Sequence, residues 1–191
     1  MKIERPEELL LQIVKILNNL KIPYLVTGGF AVAVFARPRF TADIDIVIKI
    51  ELRNIRQLAK ELRAIDKDVY VSQEAMKDAI ENNGEFNFIH SRTGLKVDFW
   101  IKRYPFEKFE RAIVKKIDGQ KVNFISPEDL ILSKLIWYKE GQGAKQLEDI
   151  KSLLEIARPD LNYIKNWAKK QSTTEILKEI LKNNIKIKGR Q

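Results

Sequence analysis

The chain has 191 residues, of which 45% are hydrophobic and 32% charged; this supports one well-formed core and excludes the apolar-poor composition of a disordered chain. There is no cysteine and a single histidine, His90, which excludes disulfides, thiolate nucleophiles and two-histidine zinc sites and leaves metal or acid–base chemistry to carboxylates. No run approaches the roughly 18 apolar residues that span a bilayer, and MKIERPEELL has acidic residues where a signal peptide needs an apolar stretch, so a soluble cytoplasmic protein without a membrane partner is expected.

The net charge of +9 suits a polyanionic ligand such as a nucleotide or nucleic acid, and it suits solubility alone equally well. Local motifs have to decide. Pro6 followed by Glu7 and Glu8 predicts a helix start, with Leu9, Leu10, Ile13, Ile16, Leu17 and Leu20 at helical spacing. After Lys21-Ile22-Pro23, residues Tyr24 to Thr27 read as a short buried strand, and Gly28-Gly29 sits where an apolar second helix begins and runs to about Arg37-Pro38.

Residues 43 to 49 alternate like a strand, and residues 51 to 64 have amphipathic helical spacing. Ser72 suits the N-cap of a further helix. EFNFIH and LKVDFWI flank Ser91 to Gly94 as a hairpin, and Asp118-Gly119 marks a second one. The last third is helical, beginning at the strong start signal Ser126-Pro127-Glu128-Asp129, with Gly141 and Gly143 as stops and Asp160 and Ser172 as further caps. The expected organisation is an α/β (α+β) chain: residues 1–125 form a catalytic core with a mixed sheet flanked by helices, and residues 126–191 form a helical region closing one side of the cleft.

The most informative segment is Asp43-Ile44-Asp45-Ile46-Val47-Ile48. Side chains alternate on a strand, so the two aspartates share one face, about 7 Å apart, while the isoleucines enter the core. Mutual repulsion of the carboxylates calls for a cation, and oxygen ligands favour Mg²⁺ or Mn²⁺; the competing reading is two aspartates facing solvent. Asp98 shows the same pattern in a second strand, opposite Leu95, Val97, Phe99 and Ile101, and needs either a cation or a positive partner such as Lys96 or Arg103. Thr27-Gly28-Gly29 offers unhindered backbone N–H groups at a helix start, where phosphates bind well; a tight turn would need the same glycines.

In order and spacing, the Gly-Gly turn, the paired aspartates and the third strand aspartate resemble the nucleotidyltransferase superfamily, which includes polymerase-beta-like and minimal nucleotidyltransferases. The resemblance implies that Gly28 and Gly29 hold the triphosphate of an NTP, that Asp43, Asp45 and Asp98 ligate metal, and that Asp98 assists the attacking hydroxyl. Gly29 stands where many members have serine. The helical segments SPEDLILSKLIWYKEG, KQLEDIKSLLEI and DLNYIKNWAKK look like those of toxin–antitoxin-associated prokaryotic members, extending the resemblance over roughly residues 8 to 170 and matching Lys134 and Asp149 to cleft positions.

Lys134 is thus a candidate phosphate contact, with a solvated helix lysine as the alternative. Arg37, Arg39 and Thr41 precede the aspartate pair; either arginine is placed to clamp phosphate or to pair with Asp43 or Asp45. Trp137 and Tyr138 offer base stacking or core packing. His90 is expected to be exposed and without a role, and the basic tail from Lys182 to Arg190 to be solvated. The expected reaction moves an NMP from an NTP to an acceptor hydroxyl on a protein side chain, an RNA end or a small molecule, releasing pyrophosphate. The alternatives are a non-catalytic antitoxin or regulator of this fold that binds a toxin partner, and a basic nucleic-acid-binding module, for which no motif is present.

Overall fold

The computed structural model describes residues 3–102 and 104–188. The chain divides into two compact units, one of residues Met1–Phe30 with Phe40–Ile125 and one of Ala31–Arg39 with Ser126–Gln191.

The first unit is built on a seven-stranded mixed sheet. Its helices α1 (Pro6–Asn19), α3 (Ile55–Arg63) and α4 (Gln73–Asn82) alternate with strands β1 (Tyr24–Val26), β2 (Asp43–Ile48), β3 (Val69–Tyr70), β4 (Glu85–His90), β5 (Leu95–Ile101), β6 (Ile113–Ile117) and β7 (Gln120–Phe124). The strand order is β3-β4-β5-β2-β1-β7-β6. The pairs β2–β5 and β1–β7 are parallel and the others antiparallel. Both hairpins form where the turn residues place them, with Gly94 and Gly119 in the left-handed region.

The core lies on one face of this sheet. Ile44, Ile46 and Ile48 of β2, Val97 and Phe99 of β5, and Phe86 and Phe88 of β4 are buried there. Against them pack α1, through Leu9, Leu10, Ile13, Val14 and Leu17, and α4, with α3 beside both helices. Val14 rather than Ile16 or Leu20 completes the buried stripe of α1. Pro6 occupies the first turn, and Glu8 reaches back to the backbone N–H groups of Glu4 and Arg5, donors that the helix itself leaves unpaired. Ser72 caps α4 by accepting from the Ala75 N–H at 3.1 Å.

Helix α2 (Gly28–Phe35) starts in this unit and passes into the second, which otherwise consists of α5 (Pro127–Gly141), α6 (Ala144–Ile156), α7 (Leu161–Lys170) and α8 (Thr174–Lys188). Ser126 caps α5 and Asp160 caps α7, each accepting backbone N–H groups of the first turn. Two details differ from expectation. The left-handed residue that ends α5 is Gln142, with Gly143 serving as the N-cap of α6, and α8 begins after Thr173, with Ser172 in a left-handed turn. Of the basic tail, residues 189 and 190, and the side chains from residue 183 onward, lie outside the described residues. Among the described residues no helix is long and apolar enough to cross a membrane.

Candidate active site

The polar face of the central sheet is set by strand parity. Because β2 and β5 run parallel in the register Asp43↔Lys96, Asp45↔Asp98 and Val47↔Trp100, the three aspartates and Lys96 emerge on one face. The antiparallel pairing of β4 with β5 adds Asn87, the partner of Asp98. Asp43 is exposed, Asp45 half-buried and Asp98 buried.

Gly28 adjoins this face directly. The β1–β2 ladder continues one step past β1, with the Thr27 N–H donating to the Asp45 carbonyl at 2.9 Å, so the chain turns into α2 beside the Asp45 side chain. Gly28 has φ +60°, and a Cβ on it would lie 1.9 Å from Asp45 Oδ2. A Cβ on Gly29 would lie 2.6 Å from Thr41 Oγ1, whose hydroxyl donates to the Asp43 carbonyl at 3.1 Å. The turn thus requires glycine at 28 for its backbone conformation and glycine at both positions for close approach. Gly28, Gly29, Thr41, Asp43, Asp45 and Asp98 are brought together in the first unit.

Asp98 has a positive partner. Lys96 Nζ lies 3.0 Å from Asp98 Oδ2, and the Asn87 amide donates to Oδ1. Of the two cations considered for this role, Lys96 fills it; Arg103 lies outside the described residues. The hydrogen bond to Asp98 is the main cause holding the Lys96 ammonium above the usual lysine range; burial opposes it, and the charges of Asp98, Asp43 and Glu85 add to it. Asn87 escaped the sequence reading, although the hairpin turn at 91–94 fixes it opposite Asp98.

The donor set is all oxygen, which fits Mg²⁺ or Mn²⁺, and the missing Cβ of Gly28 lets the Asp45 carboxylate pack against the backbone at the helix start. Among the described residues, however, no three carboxylate or histidine side chains converge closely enough to hold an ion.

The remaining candidates lie in the second unit. Asp149 is buried on α6 and accepts a two-pronged contact from Arg39, Nε to Oδ1 at 2.8 Å and Nη2 to Oδ2 at 2.9 Å. Lys134 Nζ approaches the same carboxylate at 2.7 Å and donates to Gln146 Oε1 at 3.0 Å. Burial opposes ionisation of Asp149 most strongly, but hydrogen bonds and charges from Arg39 and Lys134 together outweigh it and hold the carboxyl below its ordinary value. Lys134 is therefore not a solvated helix lysine. Arg37 pairs with Glu155 at 2.7 Å while its N–H donates to the Ser152 hydroxyl. Arg39 thus engages Asp149, and Arg37 engages Glu155. Trp137 is exposed on α5 and Tyr138 half-buried.

His90 is a correction. It is fully buried, with Nδ1 2.6 Å from the Thr93 hydroxyl and Nε2 3.4 Å from Asp66 Oδ2 without hydrogen-bond geometry. Parity along β4 carries the signal, since residues 86, 88 and 90 share the core face.

The sheet with its flanking helices is a nucleotidyltransferase-like fold. It is similar to an antigenic nucleotidyltransferase-like protein from Paracoccidioides brasiliensis, at 21% identity and TM-score 0.59 over 93% of this chain and 92% of that one. The antibiotic-resistance factor ANT(2'')-Ia matches at 14% identity and TM-score 0.57 over 96% and 97% of the two chains. The lincosamide antibiotic adenylyltransferase LnuA, in a lincomycin-bound structure, matches at 17% identity and TM-score 0.52 over 79% and 98%. No curated protein sequence matches the chain. Residues 6–190 match the model of the family described as nucleotidyltransferase of unknown function (DUF6036), and the chain belongs to that family.

Proposed function

We propose that this protein transfers a nucleoside monophosphate from an NTP to an acceptor hydroxyl and releases pyrophosphate. The observation that carries the reading is the gathering of Asp43, Asp45 and Asp98 on one sheet face beside the glycine-lined start of α2. In this reading the N–H groups at Gly28 and Gly29 receive the triphosphate, where the positive end of the helix favours anions. Thr41, packed against Gly29, fixes that turn.

Asp43 and Asp45 would hold Mg²⁺ or Mn²⁺; when bound, the cation lowers the acceptor hydroxyl's pKa and offsets charge on the phosphates. Asp98 accepts the proton as the acceptor oxygen bonds to the α-phosphorus. The bond from that phosphorus to the bridging oxygen breaks, and pyrophosphate departs with the electron pair. Holding the reactants in line contributes the positioning part of the rate enhancement. Arg39 and Lys134 support the second unit through Asp149, and a phosphate contact by either requires that buried pairing to open.

The acceptor belongs to one of three classes, a protein side chain, an RNA end or a small molecule. Incubating the protein with each α-labelled NTP, Mg²⁺ or Mn²⁺ and cell extract, then separating protein, RNA and small molecules, reads both the nucleotide and the acceptor class. The competing non-catalytic reading draws on the engagement of Asp98 by Lys96 and Asn87, and it predicts no labelled product in any fraction.

A further inference from the structure

We infer that Lys96 is a resident counter-cation of the carboxylate face, bound to Asp98 in the nucleotide-free protein and leaving it when a divalent ion arrives with an NTP. The inference rests on the nucleotidyl-transfer reading of the same carboxylates.

The geometry separates the two partners by mobility. Asp98 has a short side chain on an inner strand, is 11% exposed, and keeps Asn87 on its other oxygen. Lys96 is 38% exposed, stands at the start of β5 beside the Gly94 turn, and has a long flexible stem. Any exchange of partners therefore proceeds by a swing of the lysine, with the amide of Asn87 keeping the carboxylate in place.

Charge gives the swing its direction. Three carboxylates on one face repel one another, and the ammonium at 3.0 Å from Asp98, in register with Asp43, offsets one unit of that charge. A divalent ion arriving alone must compete with a cation already in position. Arriving with a triphosphate, it brings an anion that attracts the displaced ammonium, so Lys96 exchanges a carboxylate for a phosphate. Metal binding is thereby coupled to nucleotide binding, because the ammonium opposes one and favours the other.

Titration calorimetry of the full chain with MnCl₂ alone tests this, with paramagnetic resonance of unbound Mn²⁺ as a second readout. Wild type and Lys96→Arg should bind Mn²⁺ weakly, and Lys96→Met should bind it at least about tenfold more tightly, since a like charge on the same sheet face is gone. With NTP present the difference should shrink. Lys96→Gln, which keeps a hydrogen bond to Asp98 without the charge, should show the same tightening and serves if the methionine variant does not fold. If Mn²⁺ affinity is equal in wild type and both neutral variants while Mn²⁺–NTP binding is intact, the counter-cation role is overturned alone. If wild type binds no Mn²⁺–NTP, or Asp43→Asn/Asp45→Asn binds it undiminished, the site reading falls and the inference with it.

Discussion

Gly28 and Asp45 occupy adjoining space so closely that the smallest side chain on one would overlap the carboxylate of the other. A Cβ at position 28 would meet Asp45 Oδ2 at 1.9 Å, and the backbone there is left-handed at φ +60°. Gly94 provides an internal reference, since it has φ +70° with nothing within 4 Å of its Cβ position. Gly94→Ala should therefore lower stability by about 1–2 kcal/mol, the cost of a left-handed alanine. Gly28→Ala should show that loss and, in addition, lose NTP affinity as Asp45 is displaced. Thermal melts with nucleotide calorimetry on both variants check this; unchanged NTP binding in Gly28→Ala would remove the phosphate role from the turn.

Asp98→Asn keeps the shape of the side chain and its contact with Asn87 but removes the charge facing Lys96. If Asp98 takes the acceptor proton, single-turnover transfer should fall by about 10²- to 10⁴-fold with little change in NTP affinity. A purely structural aspartate would instead lower the melting temperature and leave the rate per folded molecule unchanged.

Asp149→Asn should be among the most destabilising single substitutions in the second unit. It leaves the nearly buried ammonium of Lys134 and the guanidinium of Arg39 without their shared carboxylate, a loss of about 3–5 kcal/mol for a broken buried pair. The pH dependence has a defined sign. Because the folded-state pKa of Asp149 lies below its ordinary value of 3.8, the stabilisation is complete above that value and is lost as pH falls through the folded-state pKa. Denaturant titrations of wild type and Asp149→Asn should thus differ most near neutrality and converge in strong acid.

His90 and Thr93 should respond in opposite directions. Thr93→Val removes the hydroxyl 2.6 Å from the buried His90 Nδ1, leaving a polar atom unpaired at a cost of about 1–3 kcal/mol. His90→Phe removes both ring nitrogens, one of which already has no hydrogen-bond partner, from a face it shares with Phe86 and Phe88, and should be neutral or stabilising. Equal losses in the two variants would show that the imidazole is needed for more than its contact with Thr93.

What the sequence determined by itself was local. Strand parity put Asp43 and Asp45 on one face and Ile44, Ile46 and Ile48 in the core, because alternation needs no partner to define it. Caps and turns behaved likewise: Ser126, Asp160 and the Ser91 to Gly94 loop act over a few residues. His90 was the exception: its place beside the hairpin turn suggested exposure, whereas its parity with Phe86 and Phe88 buries it. The tertiary structure decided which charges meet. Lys96 reaches Asp98 from two positions away on its own strand, but Arg39 finds Asp149 across a sequence separation of 110 and shares it with Lys134. No spacing rule singles out such a pair among 35 basic and 26 acidic residues, since a long side chain takes whichever partner the packed backbone delivers within reach. The parallel register that sets Asp45 beside Asp98 is of the same kind, because it is fixed only when β2 and β5 lie side by side in the sheet.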